Sequence, residues 1–286
     1  MNTRHPFRSL LIALSLAAIP LAGQAQAFSV GVSIRVAPPA LPIYVQPALP
    51  GPGYIWAPGY WAWGAEGYYW VPGTWVLAPR PGLLWTPGYW GWADGLYLWH
   101  AGYWGPHVGF YGGVYYGFGY VGVGYVGGYW RGGGFFYNRA VNNFGAVHVT
   151  NVYNQTVVNN VTVNRVSYNG GTGGIAAQPS ASERQAAAEP HVHPTELQSQ
   201  HEHAAGNNRA LLASVNHGTP RLAATTRAGV FNQRGAGAGA PAARRAQHDG
   251  GAPPYGRQPH GGRGPVRNGP GAAAHAEQRQ GETRYR

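Results

Sequence analysis

A tryptophan motif that recurs four times at near-constant spacing constrains the fold of this chain more than any other feature. The motif W-x-x-G-x-W begins at Trp56, Trp70, Trp85 and Trp99, so its copies are 14, 15 and 14 residues apart. Two copies make a 29-residue unit, and the unit occurs twice. A period of this length indicates a repeat in which each copy forms the same supersecondary structure.

The residues around the tryptophans predict strands rather than helices. Pro and Gly recur within the motifs and destabilise helix interiors, whereas Trp and Tyr favour a pleated surface. Turn residues separate the aromatic runs at 64–67 and 93–95. We therefore predict a mainly β fold, in which antiparallel meanders of short Trp-rich repeats form one small sheet domain. The sequence leaves open whether a pair such as Pro58-Gly59 closes a hairpin or kinks a strand.

Alternation along the strands gives the aromatic side chains two faces. In an extended strand, residues two apart share a face and adjacent residues point to opposite faces. A buried Trp or Tyr removes ~150–250 Å² from water, so these rings are expected to form a core. The sequence leaves open whether all of them belong to that core or whether some also present flat faces to a ligand such as a sugar ring. The candidate stacking surface comprises Tyr60, Trp61, Trp63, Tyr89, Trp90 and Trp92.

The first 27 residues are predicted to be a secretory signal peptide. Arg4 and Arg8 precede an apolar run that is too short to span a bilayer, and Ala25-Gln26-Ala27 has the small-x-small pattern of a cleavage site. The chain contains no cysteine. A lipid-modified cysteine, a disulfide and a thiolate metal site are therefore excluded.

Composition divides the rest of the chain into segments. They are an N-terminal strand with a Pro-rich segment (28–50), the two Trp-rich units (51–107), a Gly/Tyr-rich tract (108–136), an Asn/Val-rich β segment that includes Val161 and Val163 (137–170), a polar linker with short helices around 181–205 and 207–217 (171–232), and a disordered Arg/Gly/Ala/Pro tail (233–286). Residues 176–286 hold 13 Arg and seven acids, a net charge of +6. This charge favours contact with anionic lipid or lipopolysaccharide.

Few residues have the spacing that catalysis needs. In the aromatic half the acids are Glu66 and Asp94, which occupy equivalent turns of the two units and are therefore interpreted as turn residues. The G-x-G-x-x-G spacing that begins at Gly117 follows from a local pentad and does not follow a strand and open a helix, as a nucleotide site requires. We predict no enzyme, no catalytic residue, no cofactor and no nucleic-acid partner.

Histidines cluster in the polar linker. His191, His193, His201 and His203 lie near Glu196 and Glu202. Such residues bind Zn²⁺ or Ni²⁺ when the fold brings them together. We interpret this cluster as a solvated polar face and predict no metal site, with a metal buffer as an alternative.

The motif itself carries a family resemblance. Tyr54-x-Trp56-x-x-Gly59-x-Trp61 and its copies resemble the bacterial YXWGXW (WXXGXW) repeat family, with local departures at Leu83 and His100-Ala101. The resemblance covers roughly residues 28–231. It implies an exported protein of proteobacteria, and it implies no activity and no catalytic residue.

These observations predict a non-enzymatic structural or binding module of the periplasm, outer membrane or cell surface. Exposed Trp and Tyr rings would contact peptidoglycan or an exopolysaccharide. One alternative is a surface or matrix protein that self-associates through the Gly/Tyr tract and the Asn/Val strands. An outer-membrane β-barrel is a further alternative.

Overall fold

A computed structural model describes residues 33–156 and 165–231. The predicted signal peptide, the strand around Val161 and Val163 and the predicted disordered tail lie outside these residues. Within them the chain is mainly β, with many short antiparallel strands, which confirms the predicted fold class.

The strands and helices are short. The strands are β1 (Ser33–Ile34), β2 (Tyr54–Ala57), β3 (Tyr60–Gly64), β4 (Gly67–Val71), β5 (Gly73–Leu77), β6 (Leu84–Thr86), β7 (Tyr89–Ala93), β8 (Leu96–His100), β9 (Tyr103–Gly105), β10 (Tyr115–Gly117), β11 (Tyr120–Val121), β12 (Gly128–Arg131), β13 (Gly134–Asn138), β14 (Val152–Tyr153), β15 (Tyr168–Asn169) and β16 (Ala224–Thr225). The helices are α1 (Ala181–Ala188), α2 (Glu196–Gly206) and α3 (Ala213–Asn216), with a 3-10 helix at Arg209–Leu211.

Each Trp-rich unit folds as one long antiparallel hairpin with a kink halfway along. In the first unit β3 pairs with β4 and β2 pairs with β5 in a single register. In the second unit β7 pairs with β8 and β6 pairs with β9 in the same way. The kinks interrupt the ladders, so the strands of the two units are divided among four of the six small sheets in the described residues.

The Pro-Gly pairs kink the strands and do not close hairpins. The turn of the first unit lies at Ala65-Glu66, between the paired residues Gly64 and Gly67. The turn of the second unit lies at Asp94-Gly95, where φ is 50° and 83°. Positive φ at both central residues is what a type I′ turn requires, and this turn matches the twist of the strands on either side.

The hairpin register places the motif tryptophans opposite one another. The cross-strand partners are Trp56 with Trp75, Trp61 with Trp70, Trp85 with Trp104 and Trp90 with Trp99. Their ring centroids are 5.2, 5.2, 5.3 and 5.2 Å apart, within the range of favourable edge-to-face and tilted contacts. Within each unit, the first Trp of either motif is therefore paired with the second Trp of the other motif.

The motif glycines provide the space for these rings. A Cβ atom on Gly59 would lie 2.3 Å from Cζ2 of Trp70, and one on Gly73 would lie 2.6 Å from Cζ2 of Trp56. A Cβ atom on Gly88 would lie 2.5 Å from Cζ2 of Trp99, and one on Gly102 would lie 2.5 Å from Cζ2 of Trp85. The W-x-x-G-x-W pattern is thus explained by packing within the unit.

The two units are joined at equivalent positions. The Tyr120 hydroxyl, from the Gly/Tyr-rich tract, donates to the carbonyl oxygens of Trp56, at 3.3 Å, and Trp85, at 2.8 Å. The indole of Trp90 donates to the carbonyl oxygen of Trp61 at 2.8 Å. Trp56 and Trp85 are 29 positions apart, as are Trp61 and Trp90, so each contact joins equivalent positions of the two units.

The predicted polar linker (171–232) is packed against both units as far as residue 231, and we call this part, together with the end of the Asn/Val-rich segment before it, the arm (165–231). Its strands β15 and β16 add to β7 and β5, and its residues Val192 and Leu212 bridge to Trp104 and Tyr69. The arm thus covers strand edges that would otherwise be open to pairing. None of the helices in the described residues is long and apolar enough to cross a membrane.

A groove and a cavity beside the second repeat

Burial removes two residues from the candidate stacking surface. Trp61 and Trp90 are only 1% and 2% exposed. The indole of Trp61 also donates to the carbonyl oxygen of Ala40 at 3.1 Å. Both side chains belong to the core because the hairpin register points them at their cross-strand Trp partners.

The two tyrosines of the predicted surface stack within the protein. Tyr60 lies on Trp99 with ring centroids 5.1 Å apart and planes at 19°. Tyr89 lies on His100 at 4.5 Å and 7°, and a Cβ on Gly112 would lie 2.5 Å from the Tyr89 ring. The structure therefore uses these faces for its own packing.

Trp63 and Trp92 remain nearer the surface. Trp63 is partly buried and packs edge-on against Tyr68, with centroids 4.8 Å apart. Trp92 is 38% exposed and contacts Tyr97 at 4.6 Å. Of the six predicted residues, Trp92 keeps the most accessible ring.

A groove of about 430 Å³, here called the α1 groove, separates the second unit from helix α1. Its lining residues are Thr86, Pro87, Tyr89, Trp99, His100, Ala101, Tyr103, Phe110, Pro179, Glu183, Arg184 and Ala187. Aromatic rings thus form one wall, while helix α1 contributes a carboxylate and a guanidinium. No motif or spacing in the sequence predicts a site at Glu183 or Arg184.

Glu183 is the most unusual residue of the groove. Its side chain is 2% exposed, and its Oε2 accepts a hydrogen bond from the backbone N–H of Ser180 at 2.8 Å in a capping box. Its Oε1 is buried and has no hydrogen-bond partner among the described residues. A buried polar atom without a partner is costly, so a ligand group that donates a hydrogen bond here would be stabilised.

Hydroxyl groups add to the polar character of the groove. The Thr86 hydroxyl oxygen accepts a hydrogen bond from the backbone N–H of Gly109 at 2.9 Å. Burial raises the pKa of Tyr103, and the nearby carboxylates of Glu189 and Glu183 act in the same direction, while a hydrogen bond with Thr86 opposes them. Tyr103 is therefore a neutral hydroxyl group at physiological pH.

A second, smaller space of about 70 Å³ lies where the kinks of both units meet helix α2, and we call it the inter-repeat cavity. Polar groups in its lining are Tyr60, Thr74, Gln198, His201 and Glu202. The other lining residues include Pro58, Val71, Pro72, Trp85, Pro87, Trp99 and Ala101. Three of these residues, Pro87, Trp99 and Ala101, also line the α1 groove.

His201 holds helix α2 in place beside this cavity. It is 3% exposed, its Nε2–H donates to the carbonyl oxygen of Pro72 at 2.9 Å, and its Nδ1 accepts from the backbone N–H of Gly229 at 3.0 Å. A carbonyl can only accept and an amide N–H can only donate, so the ring is the neutral Nε2–H tautomer. Burial lowers the pKa of His201 to about 4.

The other predicted polar residues do not assemble into a site. His191 stacks on Tyr103 with ring centroids 3.7 Å apart, while His193 and His203 are exposed. In the described parts of the chain, no three His, Cys, Asp or Glu side chains are grouped so that they could hold a metal ion. Glu66 and Asp94 are exposed at the two hairpin turns.

Comparisons with known proteins agree with the repeat architecture. The family model of the WXXGXW repeat matches two copies, at residues 51–76 and 80–104, and these ranges contain the two kinked hairpins. No curated protein and no solved structure is significantly similar to the chain. The matched units and their equivalent Trp and Gly positions show that the chain contains two WXXGXW repeats.

Proposed function

We propose that this chain is a non-enzymatic binding module of the cell envelope, in which the Trp-rich units are the scaffold and the α1 groove holds a saccharide. The observation that carries the proposal is the Glu183 carboxyl group, which lines a groove of aromatic rings and has one buried oxygen, Oε1, with no hydrogen-bond partner among the described residues. The predicted signal peptide supports an envelope location.

The chemistry of the groove suits a sugar. A pyranose ring has apolar C–H faces and hydroxyl donors around its rim. The groove is lined by carbon atoms of Tyr89, Trp99 and Phe110, outside the faces that Tyr89 and Trp99 use to stack on His100 and Tyr60, and by the polar side chains of Glu183 and Arg184. Small-ligand sites commonly combine mostly apolar walls with a few well-placed polar groups.

Titration calorimetry with soluble peptidoglycan fragments and with β-1,4-linked glucose oligomers tests the proposal. We expect Glu183→Gln to weaken binding by about tenfold or more, since its amide oxygen would keep the Ser180 N–H and its NH2 group, which cannot accept a hydrogen bond, would replace Oε1. Gln also supports a capping box at this helix position, so the variant should keep helix α1 intact. Gln185→Ala, an exposed change on the same helix, is the matched control.

The variant Trp92→Ala separates two locations for the same activity. If the α1 groove is the site, this variant binds sugar as the wild type does. Sugar binding that is lost in Trp92→Ala and kept in Glu183→Gln would place the site on the exposed ring and overturn the proposal. Absence of binding to every glycan would remove the saccharide function altogether.

The basic C-terminal part of the chain supports a second element of the proposal, peripheral attachment to anionic lipid or lipopolysaccharide. Attraction of this kind is screened by salt. Washing the membrane fraction in high salt should therefore release the protein. Retention after such a wash would contradict attachment by charge.

A further inference from the structure

We infer that the inter-repeat cavity is a subsite for an acetamido group, so that the module selects N-acetylated amino sugars. This inference rests on the proposed function of the α1 groove. The pyranose ring would lie in the groove, and its N-acetyl substituent would enter the cavity beside Ala101.

The size of the cavity fits this group. On this measure of volume, one water molecule needs roughly 10–15 Å³. A cavity of about 70 Å³ therefore has room for about five atoms of that size. An acetamido group has four non-hydrogen atoms. A complete sugar ring is too large, so the cavity can take a substituent only.

The polar lining matches both ends of an amide. Glu202 contributes a carboxylate, which accepts hydrogen bonds and could bind the acetamido N–H. Gln198 accepts three hydrogen bonds through Oε1, from the Trp104 indole and from the backbone and hydroxyl of Thr195. Its Nε2 takes part in none of these and is the donor for the acetamido carbonyl oxygen.

The apolar lining matches the methyl group. Pro58, Pro72 and Trp85 surround the cavity with carbon atoms.

Tyr60 contributes a hydroxyl that is hydrogen-bonded to Glu202, and burial and this carboxylate raise the pKa of Tyr60 well above the usual value. Tyr60 therefore stays neutral and keeps the Glu202 carboxylate oriented.

Ala101 marks the boundary between the cavity and the groove, because it lines both. The other three motifs carry Pro58, Pro72 and Pro87 at this position. A proline ring is larger than the alanine methyl group. The alanine thus leaves more room than a proline would in the wall that the cavity and the groove share, to which Pro87 and Trp99 also contribute.

Calorimetry with three β-1,4-linked trimers tests the inference, using N-acetylglucosamine, glucosamine and glucose. We expect the N-acetylglucosamine trimer to bind at least about tenfold more tightly than the other two. Ala101→Pro and Glu202→Ala should each abolish this preference, and Glu202→Ala, which lies outside the groove lining, should leave the affinity for the glucose trimer unchanged. Glu196→Ala, an exposed change on helix α2, should keep the preference.

The outcomes separate this inference from the proposed function. Equal affinity for the glucose and N-acetylglucosamine trimers, lost together in Glu183→Gln, would overturn the acetamido subsite and leave the saccharide groove in place. Failure of all three trimers to bind would overturn both. Near-ultraviolet circular dichroism checks that Ala101→Pro is folded, and if it is not, the selectivity of Glu202→Ala decides.

Discussion

The glycine of each motif provides a sharp test of the packing. Gly59→Ala would place a Cβ atom 2.3 Å from Cζ2 of Trp70, 2.7 Å from the backbone nitrogen of Gly73 and 2.8 Å from the carbonyl oxygen of Val71. All three distances are below the 3.0 Å that real Cβ contacts respect. The substitution therefore forces the indole and the opposite backbone to move.

The expected loss of stability follows from these contacts. One extra methyl in a packed core costs typically 1–3 kcal/mol when side chains can adjust. At Gly59 two of the three opposing atoms are backbone, so we expect at least ~3 kcal/mol. For a domain of about 200 residues this lowers Tm by roughly 6–12 °C. The φ angle of Gly59 is outside the left-handed region, so the loss is steric and not conformational.

Thermal unfolding followed by circular dichroism measures this effect, with Gly51→Ala as the control. A Cβ on Gly51 meets no atom within 4 Å, and its φ is also outside the left-handed region. This variant should match the wild type or gain a few tenths of a kcal/mol, as Gly-to-Ala changes do at compatible positions. A Tm for Gly59→Ala within about 2 °C of Gly51→Ala would refute the packing explanation.

Three further results are expected. Trp90→Ala should destabilise the fold by ~3–5 kcal/mol, because the Trp90 side chain is only 2% exposed. Trp92 is 38% exposed, so Trp92→Ala should cost far less. Equal losses of stability in denaturant unfolding would contradict the assignment of Trp90 to the core and Trp92 to the surface. The folded-state pKa of His201 is about 4 and its usual value is 6.5, so on acidification the unfolded chain takes up the proton at a higher pH than the folded chain. The free energy of unfolding should therefore fall by up to about 3 kcal/mol as the pH drops from 6.5 to 4. This slope should be smaller in His201→Gln, and the same slope in both proteins would refute it. Truncation after residue 166 removes strand β16, which pairs with β5, and the Ala223 carbonyl oxygen, which accepts a hydrogen bond from the Trp70 indole at 3.0 Å. Hydrogen exchange in β5 should therefore accelerate. Unchanged protection would show that the arm does not support the sheet.

Much of the scaffold could be predicted from the sequence because it is local. The turn residues Asp94-Gly95 and the aromatic content of the strands act within a few positions of one another. The pairing of the tryptophans was also readable: Trp61 and Trp70 are equally distant from the turn centre between Ala65 and Glu66, as hairpin partners must be. Trp56 and Trp61 are equally distant from the centre of Pro58-Gly59 as well, so this symmetry alone does not decide which pair of residues is the turn.

The groove and the cavity could not be predicted in this way. They depend on residues such as Glu183 and His201, which lie about 80 positions or more from the repeat residues beside them. The helices that carry them are short and mainly polar, and they are anchored by a few buried residues, Ala186 and Ala205 among them. Such sparse anchors leave no periodic apolar pattern, so the segment resembles a linker.

The stacking surface was predicted from alternation, which gives the face of a strand but not what covers that face. Tyr60 and Tyr89 do lie on one side of their strands, but Trp99 and His100 stack on them. These partners come from the second repeat in both cases. Contacts between and within repeats thus decide which rings remain accessible.

Disulfide trapping tests most directly the claim that each unit is a single kinked hairpin with paired motifs. The chain has no cysteine, so a pair can be introduced without competing thiols. Tyr54 and Leu77 are cross-strand partners, and antiparallel partners have the Cα separation that a disulfide needs. We expect Tyr54→Cys with Leu77→Cys to form an intramolecular disulfide under mild oxidation. The pair Tyr54→Cys with Pro106→Cys, the position 29 residues further on, should stay reduced, and cross-linking of this pair in place of the first would contradict pairing within the unit.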